Sequence, residues 1–197
     1  AVGLLVLAGP MLATLFFSDA FTRDDVLKSS LSLMAYMLGL PAFILIKVLA
    51  PGFYARQDTK TPVKIGLIAL GVNFCLSVVL AWYLTSIGFA GSHAGLALAI
   101  SIAAILNAWL LYRGLLKEGV MRPASGWGAL LLRVLLANGG MCVVLWWLHA
   151  PTTWWLDVSV GERVLRLGAS VTVAAAAYFV LLLTLGMRPS QFRMGAR

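Results

Sequence analysis

Four cations, one acid and two prolines crowd into KVLAPGFYARQDTKTPVK, residues 47–64, between two of the most apolar stretches of the chain. Cations that outnumber the acids around them bind anions. A guanidinium grips a phosphate or carboxylate through paired N–H groups, and an ammonium acts as a point charge. Lys47 lies inside FILIKVLAPGFYA, about one helical turn, roughly 6 Å, before Pro51. Two roles are open to it. Its stem can snorkel to the membrane surface, or its ammonium can face the protein interior and attract an anionic ligand. Arg56 is the second candidate for an anion. Around them, Pro51 and Gly52 read as a turn that ends one helix. Asp58, Lys60, Pro62 and Lys64 read as a short junction that starts the next, Pro suiting a first helical turn.

Acid–base or metal chemistry finds little to work with. The acids are Asp19, Asp24, Asp25, Asp58, Glu118, Asp157 and Glu162, and only Asp24 and Asp25 are adjacent. Neighbours on a helix do not share a face. His93 and His149 stand singly at the ends of apolar runs. No metal-ligand spacing or nucleophile constellation appears, so no catalytic residue, metal or cofactor is expected. Cys75 and Cys142 fall within apolar runs and read as buried thiols.

The elements that hold this junction are set by composition. Of 197 residues, 61% are hydrophobic and 11% charged, against about 25% charged in soluble domains. Lipid is therefore the solvent for most of the chain. A net charge of +8 raises the question of nucleic acid. Its cations are scattered between apolar runs rather than massed, which fits membrane topology better, and no nucleic-acid partner is expected. A hydrocarbon core of about 30 Å needs about 20 helical residues. Six stretches approach that length, at about 1–17, 29–50, 63–87, 93–112, 128–149 and 164–187. The expected fold is all-α, a polytopic transmembrane bundle of six spans. The opening AVGLLVLAGPMLATLFF has no basic flank and does not read as a signal peptide. It reads as a spanning helix entered partway, in the C-terminal part of a longer protein.

Of the 15 Lys and Arg residues, only Arg23, Lys28, Arg163 and Arg166 fall opposite the 47–64 junction. The rest gather with that junction, with Arg113, Lys117, Arg122 and Arg133, or with Arg188, Arg193 and Arg197 in the tail. Because Lys and Arg favour the cytoplasmic side, both ends are expected inside. An anionic ligand of Lys47 would then enter from the cytoplasmic leaflet. Trp146, Trp147, Trp154 and Trp155 on the opposite side read as an interfacial belt.

Within the spans, Gly95, Ala99, Ala103 and Asn107 recur every four residues and so line one helix face, as a close-packing seam does. Asn73 with Ser77, and Asn138, mark further faces turned from lipid. Pro10 and Pro41 are expected to kink their helices, and Gly39 beside Pro41 makes span 2 a hinge candidate.

KVLAPGFYARQDTKTPVKIG closely resembles the cytoplasmic junction in the second half of MurJ (MviN) lipid II flippases, of the multidrug/oligosaccharidyl-lipid/polysaccharide exporter superfamily. HAGLALAISIAAILNAWLLYRGL, GWGALLLRVLLA and RVLRLGASVTVAAAAYF are similar in the same order. The resemblance implies the last six of fourteen helices. Residues 1–127 would be the closing four helices of the second lobe, and 128–197 an extra C-terminal pair whose apolar groove takes a polyprenyl tail. It implies lipid II as substrate, Lys47 and Arg56 near the cytoplasmic mouth that meets its diphosphate headgroup, and the bacterial cytoplasmic (inner) membrane as location. Membrane lipids and the missing N-terminal helices would be the other partners. Rival readings are an exporter of another polyprenyl-linked oligosaccharide, a non-transporting scaffold, and a membrane enzyme acting on polyprenyl phosphates.

Overall fold

The computed structural model describes residues 1–89, 91–120 and 126–187. Arg122 and the tail arginines Arg188, Arg193 and Arg197 lie outside them. The described residues form eight helices: α1 (Val2–Val6), α2 (Ala8–Leu15), α3 (Arg23–Tyr54), α4 (Lys60–Ser86), α5 (Ala94–Lys117), α6 (Trp127–Trp147), α7 (Thr152–Asp157) and α8 (Val160–Thr184). They contain no strand, only an isolated bridge between Ser18 and Phe21. The fold is all-α, and five helices, α3, α4, α5, α6 and α8, are long and apolar enough to cross a membrane.

The stretch 1–17 does not form the single helix expected. It breaks at Leu7, where φ is −91° and ψ 7°, into α1 and α2. Pro10 supplies the reason. Its ring excludes the carbonyl four residues earlier and it has no N–H to give. Placed as the third residue of α2, Pro10 sits in a first turn that has no need of that donor.

Two of the longer helices, α3 and α8, start at capping boxes. Thr22 and Asp25 form a reciprocal capping box, Thr22 N donating to Asp25 Oδ2 at 2.9 Å. The residues just before the span expected at 29–50 are thus the first turn of α3, with Asp24 and Asp25 at the positive end of its dipole. Ser159 and Glu162 repeat the device at α8. At its other end α3 corrects a second expectation: Pro51 and Gly52 do not end it. The helix runs on to Tyr54, because Phe53, fully buried with Leu49, Ile65, Leu111 and Leu115, ties the last turn into a core cluster. One lost backbone bond at Pro51 is outweighed by that burial. Pro41 likewise lies within an unbroken α3.

α5 is the centre of the first group, packed along α3 on one side and α4 on the other. Only Ile65 and Ala69 of α4 are buried. α6 and α8 pair with each other, and Gly140 lies so close to Leu181 that a Cβ there would approach its Cδ1 to 2.3 Å. α1 packs on α3 and α6, and α2 on α3, α7 and α8, so the broken element joins the two groups. Ala13, Val26, Ala150, Trp155 and Leu156 form a core cluster at the α7 end.

Candidate functional site

The junction is built on the buried ring of Phe53. Its carbonyl accepts from Arg56 N at 3.0 Å and from Asp58 N at 3.1 Å, which closes the chain reversal after α3. Gln57 takes φ +60° in that turn. Asp58 Oδ1 then accepts from Thr61 N at 3.0 Å, capping α4 from just outside it. Hydrogen bonding by Thr61, through its hydroxyl first and its amide second, holds the Asp58 carboxyl below the usual carboxylate range, with Arg56 adding a smaller pull. Pro62 stands in the first turn of α4, as its fixed φ allows. Gly52, inside α3, faces Leu115 on α5, whose methyls would lie 3.2 and 3.3 Å from an added Cβ.

The candidate cations divide into two kinds. Arg56 is engaged: its Nη1 lies 2.5 Å from Glu118 Oε2, tying the turn to the carboxyl end of α5. A carboxylate at a helix C-terminus meets the negative end of the dipole, so the guanidinium offsets an unfavourable placement. Both side chains are partly exposed, and such a pair is worth about 0–1 kcal/mol. Lys47, Lys60 and Lys64 are exposed and have no ion pair among the described residues. Lys60 and Lys64 share a face one turn apart. Lys47 stands between exposed Leu45 and Val48 on the apolar surface of α3. The junction thus presents unpaired ammonium groups beside hydrocarbon-facing side chains, an arrangement that attracts an anion attached to an apolar body.

Gly39 has a definite neighbour. A Cβ on it would stand 2.7 Å from both Cα and Oγ of Ser101 on α5. Ser101, 1% exposed, donates its hydroxyl to Ala35 O at 2.7 Å. Sequence reasoning missed Ser101. Its signal was a hydroxyl in the middle of an apolar span, one residue type able to bond a neighbouring backbone. Gly95 faces α4 instead, against Leu80 and Leu84, and Ala99 and Ala103 are buried. Asn107 follows, with Oδ1 buried and lacking a partner among the described residues. Other polar groups turn inward on their own helices: Ser77 Oγ lies 3.4 Å from Asn73 Oδ1, and Asn138 Nδ2 donates to Val134 O at 2.8 Å.

At the α7 end, Arg163 is only 6% exposed and was also missed. It donates to Ala13 O in the last turn of α2 at 3.3 Å and to Leu156 O in α7 at 3.1 Å, with its guanidinium 4.8 Å from the Phe17 ring centre. One cation thus serves two helix C-termini, where free carbonyls and the dipole both favour it. Arg23 pairs with Asp157 across the same end. The tryptophan belt is corrected in part: Trp146 and Trp147 are exposed, but Trp155, at 2% exposure, belongs to the core cluster because α7 folds that segment under α2.

The family described as Lipid II flippase MurJ matches residues 1–166. The chain belongs to the MurJ lipid II flippase family. A Vibrio cholerae protein named Probable lipid II flippase MurJ is 42% identical over 187 residues, covering 95% of this chain and 34% of that protein. A Haemophilus influenzae protein of the same name is 43% identical over 188 residues, 95% of this chain and 35% of its own length. The Lipid II flippase MurJ of Burkholderia cenocepacia is 35% identical over 198 residues, 100% of this chain and 37% of that protein. The chain spans about a third of the length of the curated MurJ relatives it matches. Family and apolar helices together make it a multipass membrane protein.

Proposed function

We propose that this chain forms the closing helices of a transporter that moves lipid II, the undecaprenyl-diphosphate-linked peptidoglycan precursor, from the cytoplasmic to the periplasmic leaflet of the bacterial inner membrane. The observation that carries the reading is the match of residues 1–166 to the MurJ family, with relatives named as flippases at 42% and 43% identity. The role is carriage rather than bond-making.

Physical chemistry supports it. A diphosphate-sugar-peptide headgroup cannot enter hydrocarbon cheaply, because each unpaired polar group costs kilocalories and charges cost more. Its polyprenyl tail belongs in lipid. A carrier needs a cationic, hydrated way for one end and an apolar lateral slot for the other. The junction supplies the first: Lys47 meets the diphosphate at the cytoplasmic mouth, while Lys60 and Lys64 hold the lipid surface. Arg56, paired with Glu118, contributes after exchanging that carboxylate for phosphate. α6 and α8, the extra pair of residues 128–197, form the slot beside the closing lobe of residues 1–127. The junction and both chain ends face the cytoplasm, with α1 and α2 as a sixth, broken crossing. Alternating access moves these helices against the N-terminal lobe, with the Gly39–Pro41 region as the point of flexure.

The test is rescue of cells depleted of their own lipid II flippase by the complete gene. Rescue that is lost on Lys47→Ala and kept on Lys60→Ala supports a headgroup contact at Lys47. Failure of the unaltered gene, with the protein present in the membrane, assigns another polyprenyl-linked cargo or a scaffold role.

A further inference from the structure

Between α6 and α8, at the α7 end, lies a crevice of about 300 Å³ lined by Trp147, Leu148, Arg166, Ala169, Ser170 and Val173. Liquid water occupies about 30 Å³ per molecule, so the space suits a polar headgroup rather than one solvent molecule. The charges around it are unevenly committed. Asp157 is taken by Arg23. Glu162 is held in the capping box with Ser159. Arg163 directs its N–H groups at the carbonyls of Ala13 and Leu156. Arg166 has no carboxylate among the described residues. Its guanidinium lies 4.1 Å from the Trp154 ring centre and lines the crevice.

One turn along α8, Ser170 is 5% exposed, lines the same crevice, and makes no side-chain hydrogen bond among the described residues. The hydroxyl-bearing Ser170 and a cation with no carboxylate partner among the described residues therefore line one space. The remaining walls are apolar, and exposed Trp147 stands at its rim. Guanidinium plus hydroxyl suits a phosphate diester, and the walls suit the start of an acyl chain.

The geometry points to a binding site for one anionic phospholipid, its phosphate on Arg166 and Ser170 and its first acyl carbons against Leu148 and Val173. A zwitterionic phospholipid fits less well, because Asp157 and Glu162, the carboxylates of the segment that joins α6 to α8, are both occupied. The site requires only that α6 and α8 sit in a bilayer, so it stands or falls separately from lipid II transport.

The test is native mass spectrometry of the full-length protein released from nanodiscs holding equal amounts of phosphatidylglycerol and phosphatidylethanolamine. One phosphatidylglycerol is expected to remain bound in preference. Losing a hydrogen bond to a charged group lowers its retention roughly tenfold in Arg166→Gln. Arg166→Lys keeps most of it, and Arg113→Gln, which removes a guanidinium stacked on Trp109 elsewhere, changes nothing. Should Arg166→Gln fail to fold, Ser170→Val, which fills the crevice and removes the hydroxyl, must lower retention instead. Equal retention of the two lipids, full retention in the folded variants, or displacement of phosphatidylglycerol by a polyprenyl diphosphate at stoichiometric amounts overturns the assignment.

Discussion

Adding a single methyl at Gly39 tests a helix contact in which the facing atom is backbone. Gly39→Ala raises the intrinsic helix propensity of α3 by about 1 kcal/mol, so a helix free of neighbours would gain stability. Here the new Cβ would stand 2.7 Å from the Ser101 Cα, which is backbone and cannot swing aside as a side-chain tip does. Overpacking of this kind costs about 1–3 kcal/mol. Pushing α5 away also strains the Ser101–Ala35 hydrogen bond, worth about 0.6 kcal/mol for an interhelical bond in a membrane. The balance is a net loss of about 1–2 kcal/mol. Thermal unfolding of the full-length protein in detergent, followed by tryptophan fluorescence, is the assay. The midpoint should fall for Gly39→Ala, and Ser101→Gly in the same chain should recover only part, because the backbone collision remains. A midpoint equal to or above that of the parent refutes the close approach of α3 and α5.

Three further outcomes follow from the geometry. Arg163→Met leaves the carbonyls of Ala13 and Leu156 without their donor, at about 1–3 kcal/mol for each unsatisfied group; hydrogen exchange should rise in α2 and α7 before α4, and uniform exchange contradicts the double cap. Asp58→Asn should flatten the acid limb of stability. Hydrogen bonding by Thr61 holds the folded carboxyl below the usual carboxylate range, so its contribution is complete above the unfolded value and fades as pH falls through the lower folded one; a parent and variant with identical pH profiles contradict the cap. Arg56→Gln and Glu118→Gln, singly and together, should give a coupling energy of about 0–1 kcal/mol, and a coupling several times larger would mean the exposed pair is shielded from water.

Much of α3 to α8 was legible as hydrophobic length, since in lipid a backbone must satisfy itself as a helix and about 20 residues are needed to cross. What escaped depended on partners distant in the chain. Pro51 and Gly52 carry the local signature of a turn, and only the burial of Phe53 against α5 keeps them helical. Arg163 reads as one more interfacial cation until two helix ends are seen to converge on it. Trp155 reads as belt until α7 turns it into the core. Gly39 reads as part of a hinge and Ser101 as one hydroxyl in an apolar span; their meeting is a property of the packing. At the junction, residue types were legible but pairing was not: Lys47 and Arg56 looked alike as anion ligands, and only the fold gives Arg56 a carboxylate.

Translocation of fluorescent lipid II by the purified full-length protein in liposomes addresses transport itself. The account predicts protein-dependent movement between leaflets, faster with the junction side negative, since the field is worth about 2.3 kcal/mol per charge per 100 mV, and slowed by Lys47→Ala. Reconstituted, folded protein that moves lipid II no faster than protein-free liposomes would contradict it.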